Sequence, residues 1–119
     1  FVSGQVSFLG EDRSSTGKVG AELSPEAGKA AARNAALNTL AHLKNACGGN
    51  LDRVTRCVSL RIYVASAPDF TGQPGVGNGA SELVGEIFGD LGKHARAAVG
   101  VTALPLNCAG EVESVWEID

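Results

Sequence analysis

The sequence predicts an α+β fold, a mixed sheet with two helices on one of its faces. Three observations predict it. The stretch Val54–Ala65 alternates apolar and polar residues over a length that only a strand explains. Two other segments repeat apolar residues at spacings of three and four, as amphipathic helices do. Finally, residues 97–103 and Gly110–Ile118 read as strands with no helix between them, so strands and helices do not simply alternate. The 119 residues and 12.1 kDa fit one domain, residues 1–119. Such a chain buries roughly two-thirds of its unfolded surface and needs no staples.

In chain order, residues 1–9 read as a strand with Gly4 inside it. A glycine there marks a bulge or a place where a ligand or another backbone comes close. Residues 11–17 form a polar turn, and 18–23 a short second strand. Ser24-Pro25-Glu26 is a helix start: a capping serine, proline in the first turn, then an acid. The helix runs to about Ala46, with Ala32, Ala36, Leu40, Leu43 and Cys47 on one face and Asn34, Asn38, His42 and Asn45 on the other. Gly48-Gly49 stops it. In the long strand, Val54, Val58, Leu60, Ile62 and Val64 share one side; Thr55, Cys57, Ser59, Arg61 and Tyr63 share a semi-polar side suited to solvent or another subunit. Residues 72–79 carry four glycines and read as a loop. A second helix follows over 80–91, with Leu83, Val84, Ile87, Phe88 and Leu91 as its stripe. Gly85 and Gly89 within it call for close packing on the sheet. The acidic row Glu82, Glu86 and Asp90 has no His or Cys beside it and reads as a solvated face rather than a metal site.

The net charge of -3 and pI near 5.3, with scattered cations, argue against nucleic acid as a partner. No apolar run is long enough for a membrane span, and no basic apolar leader is present. The chain begins at Phe1 inside an apolar run, so a preceding segment is expected. Cys47, Cys57 and Cys108 form no C-x-x-C pair and are expected to be reduced, two or all of them half-buried, which points to the cytoplasm. Residues 75–79 miss the dinucleotide-loop spacing, no phosphate-binding loop or nucleophile elbow occurs, and His42 and His94 match no zinc spacing. Neither a cofactor nor a metal is expected.

What remains is Arg96, opening one strand, and Glu111, opening the next, both among small and apolar residues. An ion pair tying the strands together is the plain explanation, and a functional site is the other. The surrounding segments choose. Val2-Ser3-Gly4-Gln5-Val6, the alanine-rich helix running into Cys47-Gly48-Gly49 and Leu51-Asp52-Arg53-Val54, then Ala95-Arg96-Ala97, and Leu104-Pro105 with Glu111-Val112-Glu113 together cover nearly the whole chain. In these segments the chain resembles the RidA/YjgF family of reactive-intermediate deaminases, a family also known as endoribonuclease L-PSP or translation inhibitor proteins.

The resemblance implies a chorismate-mutase-like α+β domain that forms a homotrimer with ligand clefts between subunits. It implies that Arg96 clamps a substrate carboxylate, that Glu111 holds the hydrolytic water, and that Ser3 and Gly4 line the cleft, with Asn78 in the place of a family asparagine. The expected reaction is hydrolysis of an enamine or imine, such as a 2-imino acid, to a 2-keto acid and ammonia. A non-catalytic trimer that binds or senses small carboxylates is the alternative. Departures from the family pattern are that Ala98 stands where many members have cysteine, that the only tyrosine is Tyr63 on the long strand, and that residues 72–81 are longer than usual.

Overall fold

The computed structural model describes residues 1–119. Its middle is the long alternating strand. Val54–Ala65 (β2) lies between Gly110–Ile118 (β4), antiparallel to it, and Ala95–Val101 (β3), parallel to it. Val2–Val6 (β1) pairs antiparallel with the far side of β4, giving the order β1-β4-β2-β3. The helices Pro25–Ala46 (α1) and Gln73–Phe88 (α2) pack on one face of this mixed sheet. The α+β architecture and the four main strands therefore stand, with corrections at five places.

Residues 18–23 are not a strand. Gly17 at φ +117° and Gly20 at φ +90° turn the chain on either side of Val19. What is left are isolated bridges: fully buried Val19 pairs with Leu23 and, beside the end of β2, bonds to Ala65 and Ala67. Residues 72–79 are not a loop: Gly72 is the N-cap of α2, and residues 73–79 form its first half. Packing overrides the helix cost of glycine here. A Cβ at residue 79 would overlap the Lys29 carbonyl of α1, and one at residue 77 would sit 3.3 Å from both Ala98 and Ile62. Conversely, Gly85 and Gly89, expected to pack closely, face open space. Gly89 has φ +57° and ends the helix, and nothing in the chain explains Gly85.

The fourth correction lies in β2. A bulge between Cys57 and Ser59 shifts the alternation, so Cys57 enters the core and Val58 leaves it. The last concerns the polar face of α1. Asn38 is turned inward, its Nδ2 donating to the carbonyls of Val6 (3.0 Å) and Phe8 (2.7 Å), which ties the end of β1 to the helix.

The rest of α1 follows its sequence. Ser24 Oγ caps the helix by accepting from the Ala27 N–H at 3.1 Å. Ala32, Ala36, Leu40, Leu43 and Cys47 are buried against the sheet. Glu82 and Glu86 of the acidic row meet Lys29 (3.2 Å) and Arg33 (3.4 Å) of α1 in exposed pairs, each worth under about 1 kcal/mol.

All three cysteines are free and fully buried rather than half-buried. Burial pushes the Cys57 thiol up to about 12 from 9.0. The folded state keeps that proton while the unfolded chain loses it, so this contribution is whole below pH 9 and fades between pH 9 and 12. Melting temperature is expected to fall over that range, and Cys57→Val to flatten the fall. A slope unchanged in the variant would show that another group causes it.

Candidate functional site

The register of the sheet decides where each candidate residue points. Arg96 on β3 lies opposite Leu60, whose side chain is in the core, so Arg96 leaves the sheet on the helical side. There it meets α2. Its Nη1 donates to Asn78 Oδ1 at 2.7 Å and to Ser81 Oγ at 3.3 Å, and its Nη2 donates to the Pro74 carbonyl at 3.3 Å. Residues 74, 78 and 81 form one helical stripe, at spacings of four and three. Gly77 lies beside this stripe, where a Cβ would be in ordinary contact with Nη1 at 3.6 Å. A guanidinium has five N–H donors. Three go to α2, so Nε–H and one Nη2–H are left without an acceptor in the chain.

Glu111 on β4 lies opposite Tyr63 of β2 and Val6 of β1, and its side chain takes the other face of the sheet, the one no helix covers. Its carboxylate lies against Gly4, where a Cβ would overlap Oε2. β1 is bulged between Val2 and Gln5, so the glycine marks both a bulge and a close approach. Ser3 is exposed on this face and lines a groove of about 390 Å³ together with Ser59, Arg61 and Glu113. The Tyr63 hydroxyl donates to Glu113 Oε1 at 2.5 Å, and Arg61 Nη1 stands 3.6 Å from the same carboxylate. The bond to Glu113 and its negative charge hold the Tyr63 phenol above its ordinary 10.0.

Arg96 and Asn78 are thus brought together, as are Gly4 and Glu111, with Ser3 nearby. Arg96 and Glu111 are not brought together within one chain. They leave opposite faces of the sheet, from strands on either side of β2, roughly 10 Å apart across the strands and three residues out of register. The ion pair that would tie β3 to β4 is not formed; the partners of Arg96 are all neutral.

Two residues of this region escape a reading of the sequence. Ser81 shares the stripe of Asn78, and its helical spacing from Asn78 becomes visible only once residues 73–79 are helix. His94 stands two residues before Arg96, and its ring contacts Ser81 at 2.9 Å.

An α+β sheet with an anchored arginine at one edge and a glutamate on the bare face defines a class, and comparison identifies it. The family model described as "YjgF/chorismate_mutase-like, putative endoribonuclease" matches residues 1–117. The chain belongs to that family, and its four-stranded mixed sheet with two helices is the YjgF/chorismate-mutase-like fold. Protein TCP17 of Trypanosoma cruzi is 44% identical over 119 residues, 99% of this chain and 74% of that protein. The crystal structure of Atu1372 from Agrobacterium tumefaciens, a protein of unknown function, superposes with a TM-score of 0.96 at 40% identity, over 98% of this chain and 74% of that one. A Shewanella oneidensis protein carrying the endoribonuclease description gives 0.92 at 34% identity, over 98% and 76%. No helix of the chain is long and apolar enough to cross a membrane.

Proposed function

We propose that the protein is a homotrimeric deaminase that hydrolyses 2-imino acids and their enamine tautomers to 2-keto acids and ammonia. One observation carries the reading: the Arg96 guanidinium is fastened to α2 by three neutral acceptors while two of its donors stay free. A cation held in place with two unused N–H groups is a receptor for a planar carboxylate, which takes two parallel hydrogen bonds. No carboxylate of the chain neutralises it.

The second half of the site comes from a neighbouring copy. The bare sheet face presents Glu111 against Gly4, with Ser3 close by, and the edge strand β3 presents Arg96. A cyclic trimer sets the edge of one copy beside the face of the next and closes a cleft between them. In that cleft Arg96 and Asn78 hold the substrate end. Glu111 of the other copy orients a water and takes a proton as the water oxygen bonds to the imine carbon. The imine nitrogen gains a proton, giving a carbinolamine. Collapse forms the carbonyl and breaks the C–N bond, releasing ammonia and the 2-keto acid. Atoms balance with water alone, so the chemistry calls for no cofactor or metal. Holding water and electrophile together removes a large part of the entropic barrier.

The charge distribution supports a small anion over RNA as the partner. Lys29, Arg33, Arg53, Arg56, Arg61 and Lys93 each face an acid within 4 Å, which breaks up any basic stripe.

The test is ammonia release from imines made in situ by an amino-acid oxidase. Wild-type protein is expected to exceed the buffer rate, and Glu111→Gln to lose turnover while keeping its affinity for pyruvate, the simplest 2-keto acid product. Wild type matching buffer would sink the deaminase. Binding of pyruvate without any turnover would instead identify a carboxylate carrier.

A further inference from the structure

Beyond the stripe that holds Arg96, a chain of hydrogen bonds continues inward. His94 is half-buried between α2 and the single 3-10 turn Gly89–Gly92. Its Nδ1 lies 2.6 Å from the Gly92 carbonyl and its Nε2 lies 2.9 Å from Ser81 Oγ. A carbonyl only accepts, so Nδ1 carries the proton. In the neutral ring Nε2 is then the acceptor. The Ser81 hydroxyl proton must point at Nε2, which turns the oxygen lone pairs toward Arg96 Nη1 at 3.3 Å. Every bond therefore runs in one direction: Arg96 N–H to Ser81 oxygen, Ser81 O–H to His94 Nε2, His94 Nδ1–H to the Gly92 carbonyl. Chains with a common direction polarise and strengthen each bond.

We propose that Ser81 and His94 are positioning residues that fix the Arg96 guanidinium in the orientation that receives a substrate carboxylate. The proposal rests on the deaminase reading for its kinetic consequence but not for its geometry. Nη1 carries two N–H groups. Asn78 takes one and Ser81 the other, so the guanidinium plane is set at both ends of its Nη1 edge. His94 makes Ser81 a better acceptor by drawing off its proton, and the fixed Gly92 carbonyl keeps the ring in one tautomer. Gly92 is itself held: a Cβ there would sit 2.7 Å from the Val84 carbonyl of α2. The relay is anchored on the same helix that carries the three Arg96 acceptors. A guanidinium ordered before substrate arrives loses less freedom on binding, so the relay acts on substrate affinity and specificity more than on the hydrolytic step.

Ser81→Ala is expected to raise KM about ten-fold with kcat within about two-fold of wild type, the pattern of lost uniform binding. Ser81→Thr, which keeps the hydroxyl, is expected to restore KM. His94→Phe raises KM less, and adds nothing in the Ser81→Ala background because it acts through that hydroxyl. Equal KM values in wild type and Ser81→Ala, or additive effects in the double variant, would overturn the relay.

Nitrogen-15 NMR of the resting full chain tests the relay without any substrate. Wild type is expected to show His94 protonated at Nδ1 and resolved, slowly rotating Arg96 Nη groups. Ser81→Ala is expected to shift the Nε2 signal and collapse the Nη resolution. Arg96 signals unchanged by Ser81→Ala overturn the proposal whatever the turnover. Those signals present in a wild-type protein that releases no ammonia, and lost in Ser81→Ala, would leave the relay standing and defeat the deaminase alone.

Discussion

Arg96→Ala is expected to lower kcat/KM for 2-imino acids by about 100- to 1000-fold, the cost of deleting one partner of a desolvated charge pair. Arg96→Lys should recover little. A lysine ammonium is a point charge on a flexible stem and cannot satisfy Pro74, Asn78 and Ser81 while offering two parallel donors to a carboxylate. A more discriminating result comes from mixing. Arg96 leaves the helical side of β3 and Glu111 the bare side of β4, so a working cleft takes the two from different copies. Arg96→Ala and Glu111→Gln proteins are each expected to be inactive alone. Unfolded together, refolded and reassembled at equal amounts, they are expected to regain about a quarter of wild-type activity, since a cyclic trimer pairs a wild-type arginine with a neighbour's wild-type glutamate at one junction in four. Ammonia release measured before and after mixing checks this. A mixture as dead as its parents would refute the intersubunit cleft.

The placement of Arg96 and Glu111 on opposite faces depends on strand register, and register marks the boundary of what the sequence shows. The caps of α1 are legible because their chemistry is local. Ser24, Pro25 and Glu26 start the helix, and Gly48 and Gly49, at φ +65° and +92°, end it. β2 is legible as a strand because its period is two, but the bulge that moves Cys57 inward is not, since it depends on how Trp116 and Val115 of β4 align with it. The candidate residues themselves are visible in the spacing of Arg96 and Glu111 within the family segments. Their placement on opposite faces is not, because it follows from Leu60 and Tyr63 standing three residues apart on β2. The start of α2 is hidden for a different reason. Four glycines in eight residues oppose a helix locally, and the contacts that outweigh them lie far away in sequence, on Lys29, Ile62 and Ala98. With the start of that helix hidden, Ser81 could not be placed beside Asn78.

Those same glycines give the largest expected effect on stability. At residue 79 the backbones of α1 and α2 approach so closely that a Cβ would overlap the Lys29 carbonyl and lie 2.9 Å from its carbon. Neither atom belongs to a side chain that could swing away, so Gly79→Ala must part the two helices. Overpacking a core costs about 1–3 kcal/mol, and a backbone obstacle puts this case at or above the top of that range. For a domain of this size the melting temperature is expected to drop by about 10–15 °C. Gly85→Ala is the control. It lies in the same helix with nothing within 4 Å, and is expected to raise stability by up to about 1 kcal/mol through helix propensity alone. Thermal melts followed by circular dichroism decide, and a Gly79→Ala protein that melts with or above wild type would contradict the packing. The consequence reaches the site as well. Pro74, Asn78 and Ser81 ride on the helix that Gly79 seats. Lifting α2 draws all three acceptors from the Arg96 guanidinium together, so substrate affinity should fall in Gly79→Ala even at temperatures where the protein remains folded.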